Sequence, residues 1–264
     1  MATTASIGDV ILHYARSGTP GGHPFVFSNS LGTDFRVWDP LLPHLPVGLD
    51  ILRYDKRGHG LSGAPDGPWR MDDYVADLAG LMEAQGLSGA VICGLSVGGL
   101  IAQGLAASRP DLVRALILCD TGAKIGTETM WNDRIAAVRA QGLESIADAV
   151  MERWFAPGFR ADRVRLAPWR TMLARTPAEG YARTGEAIRD ADYRASTAEL
   201  RLPCLAVCGA HDGSTPPELV RQTAALIPGS RFALIEEAGH IPCVEQPAVL
   251  AAHISRFLEE IGAG

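Results

Sequence analysis

A strand-like run that ends in Gly-x-Ser-x-Gly and continues directly as a helical pattern constrains this chain more than any other feature. Residues 90–93 are apolar, and residues 97–108 repeat apolar side chains at helical spacing. Between them, Gly94 and Gly98 flank Ser96 in a turn that is too crowded for side chains at the two glycine positions. Such a turn lifts the Ser96 hydroxyl clear of the backbone and places the positive end of a helix dipole beneath it.

The local context, rather than the five-residue motif, makes Ser96 a candidate nucleophile. A chain with 29 glycines produces Gly-x-Ser-x-Gly by chance in many loops. A catalytic serine turn requires a strand before the motif and a helix after it, and both patterns are present here. We therefore expect Ser96 to lie at the tip of a strand-to-helix turn.

Short apolar runs alternate with helical patterns along most of the chain. The runs are apolar throughout and do not alternate with polar residues, which is typical of buried parallel strands. The pattern predicts an α/β fold with a mostly parallel central sheet and helices on both faces. The first run is expected at the edge of the sheet. The predicted strands are residues 10–14, 25–28, 51–54, 90–93, 115–119, 205–208 and 232–235, and the helices between them are 71–85, 97–108, 217–227 and 247–261.

The stretch from 122 to 197 interrupts this alternation, because helical patterns there follow one another with no strand pattern between them. It contains three of the five tryptophans: Trp131, Trp154 and Trp169. Ligands bind outside the carboxyl ends of parallel strands, so an insertion between such strands can cover a site as a lid. We expect a core in two parts, 1–121 and 198–264, with a helical lid at 122–197. The alternative is a pair of helices packed away from any site.

Composition narrows the partners and the cell compartment. The net charge is −6 with no run of like charges, which argues against nucleic acid or an anionic membrane surface as a partner. We expect no secretory signal and no membrane span. Five cysteines, four of them in or beside strand-like runs, predict buried free thiols in the reducing cytoplasm. No Cys/His spacing resembles a zinc site, so no metal is expected.

A serine hydroxyl needs a base within hydrogen-bond reach and a third group that orients the base. Of the seven histidines, His240 is the strongest candidate, because it lies in a loop of small residues directly after the last predicted strand. The other histidines that we weighed lie in a strand, a helix, a Gly-rich turn or loops ahead of the serine. They are better explained as structural or solvated residues: His13, His23, His44, His59 and His253.

Two aspartates compete for the role of the acid. Asp120 follows the strand at 115–119, and Asp212 follows the strand at 205–208, so both can lie at the carboxyl edge of the sheet. Both satisfy the chain order serine, acid, histidine. Asp212 is favoured because it lies in a Gly-flanked turn before a helix that begins with prolines. Asp120 can instead cap the entry into the lid.

Stabilisation of an oxyanion requires two backbone N–H groups, one from the residue after the nucleophile and one from the loop after an earlier strand. The first is the N–H of Val97. The second is expected from the loop 28–33, where Leu31 is the candidate donor.

These features together resemble the α/β-hydrolase superfamily. The resemblance includes Gly94-Leu95-Ser96-Val97-Gly98 and the turn Asp55-Lys56-Arg57-Gly58-His59-Gly60-Leu61-Ser62, which is structural in the family and receives no chemical role here. A narrower resemblance, over nearly the whole chain, is to the 3-oxoadipate enol-lactonases of bacterial aromatic catabolism. The segments that carry it are Ser28-Asn29-Ser30-Leu31-Gly32-Thr33-Asp34, Cys93-Gly94-Leu95-Ser96, Arg153-Trp154-Phe155, Glu179-Gly180-Tyr181, Gly239-His240-Ile241 and Glu245-Gln246-Pro247.

Two positions depart from the enol-lactonase pattern. Arg36 stands where a smaller residue is expected, and Gly239 stands where many members have alanine or serine. The resemblance implies hydrolysis of 3-oxoadipate enol-lactone to 3-oxoadipate, without a metal or an organic cofactor. Because that substrate carries a free carboxylate, its pocket should hold a cation. Arg134 lies three positions from Trp131 and shares its helix face, so the two are candidate substrate-binding residues. The alternative for Arg134 is a solvated surface arginine.

Two rival functions remain open at this point. A general carboxylesterase or perhydrolase of the same fold keeps the catalytic triad and needs no carboxylate clamp. A binding protein of this fold with an idle triad is the second rival, because function belongs to the site and not to the fold. A haloalkane dehalogenase is disfavoured, since such enzymes carry aspartate in place of Ser96. The sequence leaves the oligomeric state open.

Overall fold

One eight-stranded β-sheet forms the centre of the protein in a computed structural model that describes residues 2–263. The strand order across the sheet is β1-β2-β4-β3-β5-β6-β7-β8. β1 pairs with β2, and β2 with β4, in antiparallel orientation, whereas all the remaining neighbours in this order pair in parallel. The strands are β1 Ala2–Ile7, β2 Val10–Gly18, β3 His23–Ser28, β4 Leu49–Tyr54, β5 Ala90–Leu95, β6 Val113–Cys119, β7 Cys204–Gly209 and β8 Arg231–Ile235.

Helices cover the sheet and fill the connections between its strands. Helix α2 packs on β3, β5 and β6, whereas α9 packs mainly on β7. Two short 3₁₀ turns, Phe35–Trp38 and Leu42–His44, lie between β3 and β4. The helices are α1 Met71–Ala84, α2 Val97–Ser108, α3 Glu128–Gln141, α4 Glu144–Trp154, α5 Pro157–Ala161, α6 Arg163–Ala174, α7 Ala178–Asp190, α8 Arg194–Ala198, α9 Pro217–Leu226, α10 Pro242–Glu245 and α11 Pro247–Glu260.

The predicted α/β architecture with a mostly parallel sheet is confirmed. Every residue of β4, β5 and β7 is buried, as expected for strands that read as continuous apolar runs. The parallel strands β3, β5, β6 and β7 end at the same edge of the sheet. That edge carries the loops that follow them, and these loops contain Leu31, Ser96, Asp120 and Asp212.

The prediction of an edge strand at residues 10–14 was wrong about its position in the sheet. β2 does begin at Val10, but β1 pairs with it and takes the edge, with the hairpin turning at Gly8 in a left-handed conformation (φ 54°). β1 lacked a sequence signal because it consists mainly of Ala, Thr and Ser. Among residues 3–7 of this strand, Ala5 and Ile7 pack against the core.

The stretch between β6 and β7 is entirely helical, as the sequence analysis expected, and it forms α3 to α8. Helix α6 was not predicted. It contains Pro168, and Leu173 is its one buried residue, so it shows almost no apolar face in the sequence. Its start is fixed locally, because the Asp162 side chain accepts hydrogen bonds from the N–H groups of Val164 and Arg165 at 3.1 Å each. The boundaries 122 and 197 of the lid stay a prediction.

All five cysteines are buried free thiols.

Within residues 2–263, no helix combines the length and the apolar character that a membrane crossing requires.

A buried ion pair anchors the turn that follows β4 to helix α1. The Arg57 guanidinium donates two hydrogen bonds to the Asp77 carboxylate, at 2.7 and 2.6 Å, and both side chains are buried. The same guanidinium lies over the rings of Trp69 and Tyr74. Removing one partner of such a pair leaves an uncompensated buried charge, which is strongly destabilising.

We predict that Arg57→Met lowers the free energy of unfolding by about 3–5 kcal/mol, because Asp77 loses both of its donors. Arg109→Met is the matched control, since Arg109 pairs with Glu83 and Asp111 on the surface and its loss should change stability little. Urea unfolding of the two variants measures the difference. Equal destabilisation in both variants would contradict this account of the turn.

Candidate active site

Ser96 lies at the tip of the turn between β5 and α2 and has a strained backbone. Its φ of 58° and ψ of −118° lie outside the regions that non-glycine residues favour. Hydrogen bonds on both sides hold this conformation. The Ser96 N–H donates to the Cys119 carbonyl at 3.0 Å, and the Thr121 hydroxyl donates to the Ser96 carbonyl at 2.6 Å. The side chain is nearly buried beneath the loops around it.

The two glycines of the turn have no room for a side chain, as the sequence analysis expected. A Cβ atom at Gly94 would lie 2.3 Å from the Gly98 carbonyl oxygen. A Cβ atom at Gly98 would lie 2.0 Å from the carbonyl oxygen of Ser28, the last residue of β3. The backbone of the Ser96 turn therefore lies directly against the start of the loop that carries Leu31.

His240 and Asp212 form a buried hydrogen-bonded pair. The Nδ1 atom of His240 lies 2.9 Å from Asp212 Oδ2. Asp212 also accepts hydrogen bonds from the N–H groups of Ser214 and Thr215 and from the Thr215 hydroxyl, at 2.7 to 3.0 Å. These donors hold the carboxylate in a fixed orientation, and the carboxylate holds the imidazole through Nδ1.

Asp120 lies beside this pair but does not replace Asp212. Its Oδ1 accepts the Gly209 N–H at 2.8 Å, and its Oδ2 is buried without a partner among the described residues. Burial, followed by the charge of Asp212, raises the pKa of Asp120 well above its ordinary value. The carboxylate that lies within hydrogen-bond distance of His240 Nδ1 is that of Asp212, not that of Asp120.

The hydrogen bond between the serine and the histidine is not formed in this structure. Within residues 2–263, no hydrogen bond joins Ser96 Oγ to His240 Nε2. The Nε2 atom instead lies 3.5 Å from the hydroxyl of Ser30, in the loop after β3. Contacts of this kind are often long without substrate and shorten in the reacting complex.

The candidate oxyanion donors Leu31 and Val97 lie on the two sides of the Ser96 turn. Val97 is the first residue of α2, and Leu31 lies in the loop that contacts Gly98. Neither N–H donates to a protein atom in the part of the chain that the structure describes. The next N–H along the loop, that of Gly32, donates to His59 Nε2 at 3.0 Å.

Lys56 forms hydrogen bonds with the backbone of the loop that carries Leu31. The sequence analysis gave Lys56 no role. Its Nζ is buried and donates to the carbonyl oxygens of Ser30 and Thr33 at 2.5 and 3.3 Å. Burial lowers the pKa of Lys56 to about 7, although the carboxylates of Asp55 and Asp34 act in the opposite direction. The local sequence around Lys56, a Gly-rich turn, does not indicate that the side chain will be buried against a loop 26 residues earlier in the chain.

The backbone at the end of helix α4 forms hydrogen bonds with the loops that carry Asp212 and His240. The Arg153 carbonyl accepts the Gly213 N–H at 3.0 Å, directly beside Asp212. The Trp154 carbonyl accepts the His240 N–H at 2.7 Å, and the Trp154 ring stacks on the imidazole at a centroid distance of 6.4 Å. This end of the lid is therefore part of the site wall.

Two lid arginines without carboxylate partners lie close together beside the site. The Arg134 guanidinium lies over the Trp131 ring, 5.1 Å from its centroid, so the predicted contact between these two residues exists. Burial and the nearby charge of Arg134 lower the pKa of Arg153, whereas Tyr181 raises it. Among the residues described, neither arginine forms an ion pair. Tyr181 in turn lies against Gly32 of the oxyanion loop.

Arg153 is a residue whose position the sequence analysis did not use. It was noted only as part of a family-like segment, and no helical spacing relates it to Arg134, which lies on the preceding helix. Like charges held together without an acid are unfavourable unless an anion binds between them.

Three ionisable side chains, Asp120, Asp212 and His240, present atoms within 4.8 Å of one another and are the candidate metal ligands. The hydrogen bonds do not favour this use. The Asp212 oxygens already accept four donors, one of which is the Nδ1–H of His240. The geometry fits an orienting carboxylate–imidazole pair better than a ligand set.

Comparison with known proteins identifies the family. A sequence model of the alpha/beta hydrolase family matches residues 10–253. The chain belongs to the α/β-hydrolase family. It is 37% identical over 245 residues to 3-oxoadipate enol-lactonase 2 of Acinetobacter baylyi, which covers 92% of this chain and 91% of the relative.

Solved structures agree with this assignment. The enol-lactonase of Burkholderia xenovorans is similar to this α/β-hydrolase with a TM-score of 0.93 and 36% identity, over 97% of this chain and 100% of that one. A thermophilic esterase from Thermogutta terrifontis has a TM-score of 0.91 and 28% identity, over 99% of both chains. The predicted family and fold class, and the resemblance to enol-lactonases, are confirmed.

The site geometry predicts that replacing Asp212 lowers kcat far more than replacing Asp120. Asp212→Asn should lower kcat at least about 10³-fold on any ester that the protein hydrolyses, because the imidazole loses the anion that orients it. Asp120→Asn should lower kcat less than about 10-fold, because Asp120 makes no hydrogen bond to the imidazole and an amide oxygen can still accept the Gly209 N–H. Steady-state kinetics on folded variants measures both. If Asp120→Asn is the inactive variant, the acid lies after β6 and this assignment is wrong.

Proposed function

We propose that this protein is a serine hydrolase that opens 3-oxoadipate enol-lactone to 3-oxoadipate. The observation that carries the proposal is the buried Asp212–His240 pair at the sheet edge that also carries the strained Ser96 turn. The similarity to enol-lactonases over more than nine-tenths of the chain supports the choice of substrate. The proposed reaction uses no metal and no organic cofactor.

In the first half of the reaction, Ser96 Oγ attacks the lactone carbonyl carbon while His240 Nε2 takes the hydroxyl proton. The negative charge on the carbonyl oxygen is stabilised by the N–H groups of Leu31 and Val97. Collapse of this intermediate breaks the ring C–O bond. The enolate remains tethered to the acyl-enzyme and becomes a ketone when a proton adds to carbon. The His240 imidazolium gives up the proton that it took from Ser96 in this step, directly or through solvent, and is neutral again for the second half.

In the second half, water attacks the acyl carbon and gives its proton to His240. The same two N–H groups stabilise the second oxyanion, and the bond to Ser96 Oγ breaks as the oxygen regains a proton from the imidazolium. The product leaves as a dicarboxylate with a ketone. Asp212 keeps its charge throughout, since it stabilises the imidazolium without taking the proton.

The substrate carboxylate is proposed to bind the lid arginines. Arg134 rests on Trp131, and Arg153 lies next to it, both without an acidic partner among the described side chains. A carboxylate between them would satisfy two guanidinium groups by charge-assisted hydrogen bonds. This need for an anionic group separates an enol-lactonase from a general carboxylesterase with the same triad.

Turnover on two substrates tests the proposed function. The substrates are 3-oxoadipate enol-lactone and p-nitrophenyl acetate, and the measured quantity is kcat/KM for the wild-type protein and for Arg134→Met. A charge-assisted hydrogen bond is worth roughly 1.5–3 kcal/mol, so Arg134→Met should lower kcat/KM on the enol-lactone by about 10–100-fold. It should leave the neutral ester unaffected.

Arg139→Met is the matched control, because Arg139 lies on the same helix and pairs with Glu179 and Glu186. It should spare both substrates. A wild-type preference for the neutral ester would favour the carboxylesterase, and no turnover of either would favour a binding protein. Equal losses on both substrates in Arg134→Met would make that arginine structural.

A further inference from the structure

Glu245 is a buried acid that joins the lid to the loop of the catalytic histidine. Its Oε1 accepts the N–H of Gly239 at 2.6 Å, and its Oε2 accepts the N–H of Ala156 at 2.8 Å. Gly239 directly precedes His240, whereas Ala156 follows the end of α4 in the lid. One carboxylate therefore holds two segments that lie more than 80 residues apart.

The same two segments also contact each other without Glu245. The His240 N–H donates to the Trp154 carbonyl at 2.7 Å. A Cβ atom at Gly239 would lie 2.5 Å from that carbonyl oxygen, so the close approach requires glycine at this position. We call residues 154–156 together with 239–240 and Glu245 the seam. Hydrogen bonds from both segments join the end of α4 to the histidine loop at this point.

We propose that Glu245 is a positioning residue that fixes His240 on Asp212 by holding the histidine loop against the end of the lid. The proposal rests on the proposed function, in which His240 is the base. The imidazole is one residue from the N–H that Glu245 accepts, and its Nδ1 must stay within hydrogen-bond distance of Asp212. A shift of the Gly239 backbone displaces the ring from that geometry.

Only an ionised Glu245 side chain can accept both the Ala156 and the Gly239 N–H groups of the seam. A carboxylate accepts one N–H at each oxygen, whereas a protonated acid or a carboxamide presents a donor to one of the two N–H groups. Loss of the Ala156 contact would free the lid end, and loss of the Gly239 contact would free the histidine loop. Both losses act on the base, and neither removes a group that touches the substrate.

The charges around Glu245 place its ionisation near neutral pH. Burial, and to a smaller extent Asp212, raises the pKa of Glu245 to about 7, against the opposing effects of the two N–H donors and Arg165. The Cys243 thiol on the same helix is neutral, since burial raises its pKa. As pH falls through about 7, the carboxyl gains a proton and the seam loses one acceptor. The kcat of the wild type should then fall with the protonation of Glu245 as pH drops through about 7.

The test compares Glu245→Gln with Glu237→Gln, an exposed acid on the same loop with the same change of charge. On p-nitrophenyl acetate, Glu245→Gln should lower kcat about 10-fold or more, because the variant loses one hydrogen bond to a charged group. KM should stay within about 2-fold of the wild-type value. The fall of kcat through pH of about 7 that Glu245 causes in the wild type should be absent from this variant. The downfield NMR proton of the His240–Asp212 hydrogen bond should shift or broaden. Glu237→Gln should match the wild type in all of these.

A second variant opens the seam from the lid side and leaves Glu245 in place. Ala156 has a φ of −59°, which proline adopts, and the residue before it has an extended backbone (φ −123°, ψ 139°), which proline tolerates. Ala156→Pro therefore removes the N–H donor and keeps the backbone path. It should lower kcat and shift the downfield proton in the same direction as Glu245→Gln.

Two results would overturn the proposal. One is a Glu245→Gln variant with the kcat, acid limb and downfield proton of the wild type. The other is an unchanged Ala156→Pro variant when Glu245→Gln fails to fold, since Glu245 would then only support the fold. The NMR comparison holds whether or not an ester is hydrolysed. A wild-type protein that hydrolyses neither ester therefore contradicts the proposed function and leaves the positioning of His240 measurable.

Discussion

The contact between the backbone of Gly98 and the carbonyl of Ser28 is the constraint on which the site depends. It brings the first turn of α2 against the end of β3, at a distance that leaves no space for a Cβ atom. The Ser96 turn and Val97, the first residue of α2, therefore lie next to the loop that carries Leu31. Lys56 and His59 hold the other side of the Leu31 loop, so both candidate N–H donors belong to rigid backbone.

The lid adds a second constraint, because its α4 end is bonded to the loops of Asp212 and His240. These backbone bonds run through Arg153 and Trp154, so the helix end that contacts both of these loops also carries a candidate substrate arginine. In the proposed function, substrate recognition and orientation of the base are therefore built on one segment.

The sequence predicted the parts of the site that local chemistry determines. The Ser96 turn needs only its own glycines and the strand and helix around it. The loop of small residues after the last predicted strand pointed to His240, and the Gly-flanked turn before a helix that begins with prolines favoured Asp212. It did not predict β1, whose short polar residues pair only because β2 lies beside them. It also missed the roles of Arg153, Lys56 and Glu245, since each acts on a segment distant in sequence and nothing local marks such a contact.

The central claim is that Ser96 is an activated nucleophile, and covalent labelling tests it most directly. A fluorophosphonate transfers its phosphonyl group to an activated serine and releases fluoride, so intact mass and peptide mapping report both the stoichiometry and the residue modified. The account predicts one adduct per chain, on Ser96, and no adduct in a folded Ser96→Ala variant. A wild-type protein without an adduct, or an adduct on another residue that persists in Ser96→Ala, would contradict it.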